Sequence, residues 1–233
     1  MTSTAEARNS DAGRLRDVMT DKLIRRGGIS SPQIERAFRT VPRHAFAIPG
    51  TPLEECYHGD VVRTKKDADG VTLSSISAAW LQARMITQAG IGPGARVLEI
   101  GTTGYNAALL AEVTGPQGHV VTLDLDPEIT ERAATVLQAT GYSGRVTVLT
   151  GDGEHGAPGH GMFDAIVASD RAGNELGGAL LGRICHRECP VLVVVGARGL
   201  VAAVGVLVEA PVPGAPLTVH TLGVCHGRPP HSP

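Results

Sequence analysis

The sequence predicts an α/β fold: a mostly parallel, doubly wound, Rossmann-like sheet with an N-terminal helical extension and a C-terminal antiparallel hairpin. From residue 96 onward, apolar runs of strand length alternate with segments whose apolar residues recur at helical spacing, as in repeated βα units. The last two apolar runs, residues 201–209 and 217–225, instead flank a turn rich in proline and glycine. That arrangement is typical of an antiparallel hairpin.

The most informative stretch is residues 96–106, in which an apolar run is followed by small residues and then by a helix. Gly101 and Gly104 lack a Cβ atom, so a ligand can approach the backbone N–H groups of this turn. Twenty residues after Gly104, a second apolar run ends in Asp124. An acidic residue at this place in a βαβ unit accepts hydrogen bonds from ribose hydroxyls. The two features together predict a nucleoside-containing cofactor.

The spacing of the turn favours S-adenosylmethionine (AdoMet) over NAD as that cofactor. Dinucleotide-binding turns usually read G-x-G-x-x-G, which admits a pyrophosphate. Here the turn is only G-x-x-G, and the carboxylate of Glu99 stands just before it. A negative side chain suits the sulfonium and ammonium groups of AdoMet, which has no phosphate. A turn that binds no ligand is disfavoured by Asp124.

The segments before this turn predict two helices and a long loop. A helix over residues 13–26 follows a polar tail at 1–12, and a second helix begins after Ser31, which is placed to cap it. Residues 49–70 show little periodicity and predict a loop that is functional or tied down by partners. The serine-rich segment that follows precedes a further helix. The pattern alone favours Ser77 as the N-cap of that helix, with a ligand-facing hydroxyl as the alternative.

Further strands and helices complete the predicted sheet after the second apolar run. They are a helix at 127–141, a strand at 145–150, a strand at 163–168, a weak helix at 177–187 and a buried parallel strand at 191–195. The third strand ends in Gly151, Asp152 and Gly153, and Asp152 is placed there to meet adenine or to hold its loop. We expect residues 73–233 to form one structural unit, with residues 1–72 as an N-terminal extension.

Composition excludes several classes of function. The 233 residues carry a formal charge of -2 and only 3% aromatic residues, so neither a basic field nor stacking platforms predict nucleic-acid binding. No apolar run approaches the length needed to span a bilayer, and the start of the chain does not resemble a signal peptide. We therefore expect a cytoplasmic protein that binds neither membrane nor nucleic acid.

The cysteines predict no metal site. Cys185, Cys189 and Cys225, with two neighbouring histidines, are conceivable zinc ligands, but no C-x-x-C pair is present. The spacing of the four cysteines, including Cys56, is not that of a disulfide framework. Buried, reduced thiols are the favoured interpretation.

Taken together, the chain resembles the protein-L-isoaspartate O-methyltransferase family over residues 15–168. The matching pieces are Val41-Pro42-Arg43-His44-Ala45-Phe46, Ser75-Ile76-Ser77, residues 97–106, Leu123-Asp124 and Gly151-Asp152-Gly153. The serine segment is the distinctive piece, because the turn before the helix is shared by many methyltransferases. The resemblance implies a class I AdoMet-dependent methyltransferase fold.

Within that family, the chain resembles an actinobacterial branch associated with ribosomally made, modified peptides, the FxLD-type methyltransferases. The shared features are Ser74-Ser75-Ile76-Ser77 before a tryptophan, the G-x-x-G-Y-N-A-A-L-L turn and Asp124-Leu125-Asp126-Pro127. Three departures stand beside them. Ala79 replaces the family's proline, residues 169–176 replace a Trp-Asp-Ile-Pro-Pro-like segment, and residues 186–190 replace a Gly-Gly-Arg.

The resemblance implies roles for the candidate residues. Ser77, with Ser75 as its neighbour, would donate a hydrogen bond to the acceptor carboxylate. The turn and strand tips would hold AdoMet, which becomes S-adenosyl-L-homocysteine. The implied cofactor-binding residues are Glu99, Gly101, Thr102, Thr103, Gly104, Asn106, Asp124, Leu125, Gly151, Asp152 and Gly153.

Three hypotheses follow, and the sequence leaves the oligomeric state open under each. The first is carboxyl O-methylation of an Asp or isoAsp side chain in a peptide or protein, as a step of modified-peptide maturation. The second is general isoaspartate repair with the same chemistry. The third is a catalytically weakened AdoMet-binding partner protein, motivated by the departure at residues 169–176.

Overall fold

A computed structural model describes residues 3–29, 31–168, 189–197, 200–209 and 218–226. The helices are α1 (Ser3–Arg25), α2 (Pro32–Thr40), α3 (Leu53–Tyr57), α4 (Ala79–Gln88), α5 (Tyr105–Thr114) and α6 (Pro127–Ala139). The strands are β1 (Val62–Lys66), β2 (Thr72–Ile76), β3 (Arg96–Ile100), β4 (His119–Asp124), β5 (Val146–Thr150), β6 (Ala165–Ala168), β7 (Cys189–Ala197), β8 (Leu200–Glu209) and β9 (Thr218–His226).

Seven strands form the central sheet in the order β5-β4-β3-β6-β7-β8-β9. The strands from β5 to β7 pair in parallel, and β8 pairs antiparallel with both β7 and β9. The predicted fold class is therefore confirmed, including the C-terminal hairpin. The strand order reverses beside β3, which lies between β4 and β6. In open α/β sheets, ligands bind at the carboxyl ends of the strands at such a reversal.

The register brings four strand ends to one edge of the sheet. Ile100 at the end of β3 lies opposite Leu123 of β4 and Ala168 of β6, and Asp124 lies opposite Thr150 of β5. The turns that follow β3, β4 and β5 therefore meet at this edge. Helix α5, which begins directly after the first turn, is buried over nearly its whole length. Apolar side chains cover most of its circumference, as expected for a central helix.

Two N-terminal expectations are corrected by the structure. The predicted tail at residues 1–12 is largely helical, because α1 begins at Ser3, and Ala12 of this segment is packed in the core. The segment between Ala5 and Ala12 contains no glycine or proline to end the helix, and Glu6 in its first turn suits the helix dipole.

The predicted loop at residues 49–70 contains α3 and most of a β1–β2 hairpin. Val62 and Thr64 of β1 are buried, while the charged residues between and after them are at least partly exposed. The Asp67 carboxylate closes the turn by accepting hydrogen bonds from the backbone N–H groups of Asp69 and Val71. The strand was missed because its polar face carries a run of lysine and aspartate, which is more typical of a solvated loop.

Ser31 caps α2 as predicted, since its hydroxyl accepts a hydrogen bond from Ile34 N at 3.3 Å. Ser31→Ala should lower the free energy of unfolding by about 1 kcal/mol, because one N-terminal N–H group of α2 loses its partner. Ser31→Asp keeps the acceptor and should retain wild-type stability. Urea denaturation of the three proteins checks this, and equal losses in both variants would contradict a capping role.

In the part of the chain that the structure describes, no helix is both long enough and apolar enough to cross a membrane.

Candidate active site

An open cavity, whose volume of about 250 Å³ includes space continuous with solvent, lies at the carboxyl end of β3, where the sequence predicts the cofactor turn. Six predicted site residues line it: Ser75, Ser77, Glu99, Gly101, Thr103 and Asn106. Gln82 and Met85 of α4, which the sequence did not single out, complete the lining. The serine-rich segment and the turn after β3 are thus brought together, although about 25 residues separate them in the chain.

Glu99 and Asn106 give this cavity unsatisfied polar groups. Both side chains are buried, and Glu99 Oε2 accepts a hydrogen bond from Thr122 Oγ1 at 2.5 Å. Glu99 Oε1 and both amide atoms of Asn106 are buried and make no hydrogen bond of good geometry, although the Asn106 amide lies near enough to Glu99 to lower its pKa. Leaving such groups unpaired costs about 1–3 kcal/mol each. A polar ligand with a cationic donor therefore fits the cavity wall better than an apolar one.

Two hydrogen bonds stabilise the conformation of the turn between β3 and α5. Thr102 N donates to Asp124 Oδ2 at 3.2 Å, and Gly104 N donates to Thr102 Oγ1 at 2.9 Å. Gly104 has a φ of 85° and its missing Cβ would lie 3.0 Å from the ring of Phe46. Any other residue at Gly104 would be strained and crowded. Asp124 is thereby fixed at the tip of β4 with its carboxylate beside the turn.

The remaining predicted residues lie at the tips of β4 and β5 and do not line the cavity. Leu125 is 67% exposed and Asp152 is also exposed, while Gly151 N donates to Asp124 O at 3.0 Å and joins the two tips. Gly153 is buried, and a Cβ atom there would lie 2.6 Å from the side chain of Ile100, the last residue of β3. These residues form an open shelf beside the cavity.

The structure corrects the interpretation of Ser77 as an N-cap. The N-cap of α4 is Ala78, and no side chain caps this helix end. Ser75 and Ser77 share a face of the chain and both line the cavity, whereas Ser74 points to the other face and accepts a hydrogen bond from Thr64 Oγ1 at 2.9 Å. The period-two alternation of an extended chain accounts for this division.

Arg43 is a buried residue whose role the sequence did not reveal. It is fully buried, and its guanidinium donates to Cys56 O at 2.8 Å, Asp60 O at 2.8 Å and Ser77 O at 3.0 Å. It also donates to Gln82 Oε1 at 2.9 Å. The neighbouring His44 is hydrogen-bonded through Nδ1 to the Tyr57 hydroxyl at 2.7 Å. Burial lowers the pKa of Arg43.

A second cavity of about 300 Å³ lies on the other side of β2 and shares Thr103 with the first. Lys65 of the hairpin borders it and forms ion pairs with Asp126 at 2.6 Å and Glu128 at 2.7 Å. These pairs attach the hairpin to the start of α6, next to the predicted ribose-binding tip. Since these ion pairs are exposed to solvent, water screens them and they contribute little to stability.

No group of three or more histidine, cysteine, aspartate or glutamate side chains is placed to hold a metal ion within the described ranges. Cys56 is buried as a free thiol, in line with the expected core role. The side chains of the other three cysteines and of the departures at residues 169–176 and 186–190 lie outside what the structure describes, as does the predicted helix at 177–187.

Glu99 is expected to make stability depend on pH, because burial raises its pKa from 4.5 to about 7. Between these values the folded state holds a proton that the unfolded state has lost. The resulting stability is fully present below pH 4.5 and is lost as the pH rises through 7, a change of about 3 kcal/mol.

Glu99→Gln should remove this decline. Urea denaturation at a series of pH values from 4 to 8, with the variant measured beside the wild type, isolates the contribution of Glu99. Parallel curves for the two proteins would show that Glu99 ionises normally in the folded state.

The sheet order, the turn after β3 and the acidic tip of β4 together define the class I AdoMet-dependent methyltransferase fold. Two solved structures share it. A protein-L-isoaspartate O-methyltransferase superposes with a TM-score of 0.73 and 26% identity over 91% of this chain and 66% of that one. A Plasmodium falciparum structure, described as the same enzyme in complex with S-adenosyl-L-homocysteine, gives 0.68 and 16% over 91% and 96%.

The chain belongs to the protein-L-isoaspartate(D-aspartate) O-methyltransferase family, whose model matches residues 14–184. The protein-L-isoaspartate O-methyltransferase of Hyperthermus butylicus is 35% identical over 170 residues, covering 66% of this chain and 64% of that protein. The same-named protein of Gloeobacter violaceus is 39% identical over 152 residues, covering 65% and 69%. The chain thus spans about two thirds of the length of these relatives.

Proposed function

We propose that this protein is an AdoMet-dependent carboxyl O-methyltransferase that acts on an Asp or isoAsp side chain of a peptide or protein. Its family membership supports the reaction class. The observation that carries the proposal is the cavity that Ser75 and Ser77 line together with Glu99 and Asn106. The hydroxyl groups of Ser75 and Ser77 can donate hydrogen bonds to a carboxylate acceptor, and the carboxylate of Glu99 attracts a cationic methyl donor.

The residues of the cavity fit AdoMet at its methionine end. The unpaired oxygen of Glu99 and the unpaired amide of Asn106 are partners for its ammonium and carboxylate groups. Asp124 would accept from the ribose, and the shelf formed by Leu125, Gly151, Asp152 and Gly153 would lie beside the adenine. When bound, AdoMet supplies the methyl group and leaves as S-adenosyl-L-homocysteine.

The protein's own part in the reaction is to orient and desolvate the acceptor. A side-chain carboxylate has a pKa near 4, so it is already the nucleophile at neutral pH and needs no general base. Ser77 would donate to one carboxylate oxygen and leave the other to attack the methyl carbon, whose bond to sulfur breaks with the electron pair going to sulfur. Alignment of the two reactants supplies several kcal/mol of the rate enhancement. The ester formed is open to attack by the next backbone amide nitrogen, which gives a succinimide and releases methanol.

We further propose that the peptide acceptor belongs to modified-peptide maturation, on the strength of the FxLD-type features at Ser74–Ser77 and at residues 124–127. General isoaspartate repair uses the same site and is the second candidate. The third, a weakened AdoMet-binding partner, depends on residues 169–176, which lie outside the described part of the chain. The division at residue 72 and the cytoplasmic location stay predictions.

Incubation with methyl-labelled AdoMet and peptides tests the reaction. We expect base-labile methyl incorporation into Asp or isoAsp peptides. Turnover of short isoAsp peptides without preference for a modified precursor would select general repair. Tight AdoMet binding with no transfer to any peptide would favour the weakened partner, and label that is stable to base would refute carboxyl methylation.

A further inference from the structure

Arg43 places an uncompensated positive charge directly behind the serine wall of the cavity. Its side chain has no exposed surface, and its guanidinium donates four hydrogen bonds, three to backbone carbonyls and one to the amide oxygen of Gln82. The ring of Tyr105 lies 4.9 Å from the guanidinium carbon. Among the described residues, no carboxylate forms an ion pair with Arg43. Burying a cation without a counter-ion is costly. Because no carboxylate cancels it, the positive charge of Arg43 contributes to the electrostatic field at this wall.

The contact with Arg43 determines which group Gln82 offers to the cavity. A guanidinium can only donate hydrogen bonds, so the atom of Gln82 that faces it must be the amide oxygen. The NH₂ group of the same amide then points away from Arg43. Gln82 is 2% exposed and lines the cavity together with Ser75 and Ser77. The group that it presents there is therefore a hydrogen-bond donor.

We propose that Gln82 is a second donor to the acceptor carboxylate, beside Ser77, and that Arg43 is the positioning residue that orients both. Arg43 holds the amide of Gln82 on one side and the backbone carbonyl of Ser77 on the other. The inference rests on the proposed carboxyl methylation and adds to it the residues that recognise the acceptor.

The charges around the cavity support this assignment. The buried cation lies behind Ser77 and Gln82, and the carboxylate of Glu99 lies on the wall of the turn. This polarity draws an anionic acceptor toward the first wall and a cationic donor toward the second. A carboxylate that loses its water on entering is compensated by two fixed donors with a positive charge behind them.

The alternative is that Gln82 serves only as an acceptor for Arg43. Gln82→Glu separates the two roles, because a glutamate still accepts from Arg43, and as an ion pair, while it no longer offers an amide N–H group. The thermal midpoint should therefore be at least that of the wild type. For an isoAsp peptide, kcat/KM should fall about 100-fold, mainly through a higher KM, while the Kd for AdoMet stays within a few-fold.

Gln138→Glu makes the same chemical change at an exposed position of α6 and should leave both constants unchanged. Wild-type values of kcat/KM and KM in Gln82→Glu would overturn the proposal and leave Gln82 a structural acceptor. Failure of the proposed function itself is distinguishable, because it appears in the wild type as the absence of methyl transfer to every Asp and isoAsp peptide. That result would overturn the assignment of Gln82 as well.

Discussion

Ser77→Ala is expected to lower kcat for an isoAsp peptide by about 100- to 1,000-fold while leaving the Kd for AdoMet nearly unchanged. The hydroxyl belongs to a residue that lines the cavity in which we propose that the acceptor binds, and it caps no helix. Removing one fixed donor from a site where a charged reactant must be oriented costs about 3–4 kcal/mol in the transition state. The proposed cofactor contacts are made by other residues, so the affinity for AdoMet should be unchanged.

Steady-state kinetics and calorimetric titration with AdoMet measure the two quantities separately. Ser74→Ala is the matched control, because Ser74 is in the same segment but faces away from the cavity and bonds Thr64. Its turnover should stay within a few-fold of the wild type. Equal loss of turnover and AdoMet affinity in Ser77→Ala would assign Ser77 to the architecture of the site instead of the acceptor.

The sheet and the cofactor turn could be predicted because their signals are local. An apolar run, a glycine turn and an acidic residue one unit later specify β3, α5 and Asp124 within a short stretch of chain. Parallel pairing then requires the strand tips to meet at one edge. The structure explains why glycine occupies positions 104 and 153, because a Cβ atom at either position would lie 3.0 Å or less from a neighbouring side chain.

The sequence could not show the interactions between distant segments. Arg43 gathers carbonyls from Cys56, Asp60 and Ser77, which are up to 34 residues away, and nothing in a polar turn reveals that it will be buried. The N-cap interpretation of Ser77 also failed for this reason. A serine before a helix can either cap the helix or face a ligand, and the sequence does not reveal the β1–β2 hairpin that leads into its segment.

The largest expected effect on stability comes from Arg43→Met, which should lower the free energy of unfolding by about 4 kcal/mol. Methionine fills most of the space of the stem but leaves buried acceptors from three segments without a donor, at about 1–3 kcal/mol each. Relief of the cost of burying the cation offsets part of this loss. The measurement is urea denaturation at neutral pH.

Arg39→Met provides a comparison, because a count of ion pairs alone would predict a larger loss of stability for Arg39→Met than for Arg43→Met. Arg39 contacts Asp17, Asp21 and Glu35 at 2.6–3.2 Å, but its side chain is 32% exposed. Water replaces those contacts readily, so the expected loss is about 1 kcal/mol. A smaller loss for Arg43→Met than for Arg39→Met would mean that water reaches the carbonyls behind Ser77. The wall that holds the acceptor would then not be the dry, preorganised surface on which the assignment of Gln82 depends.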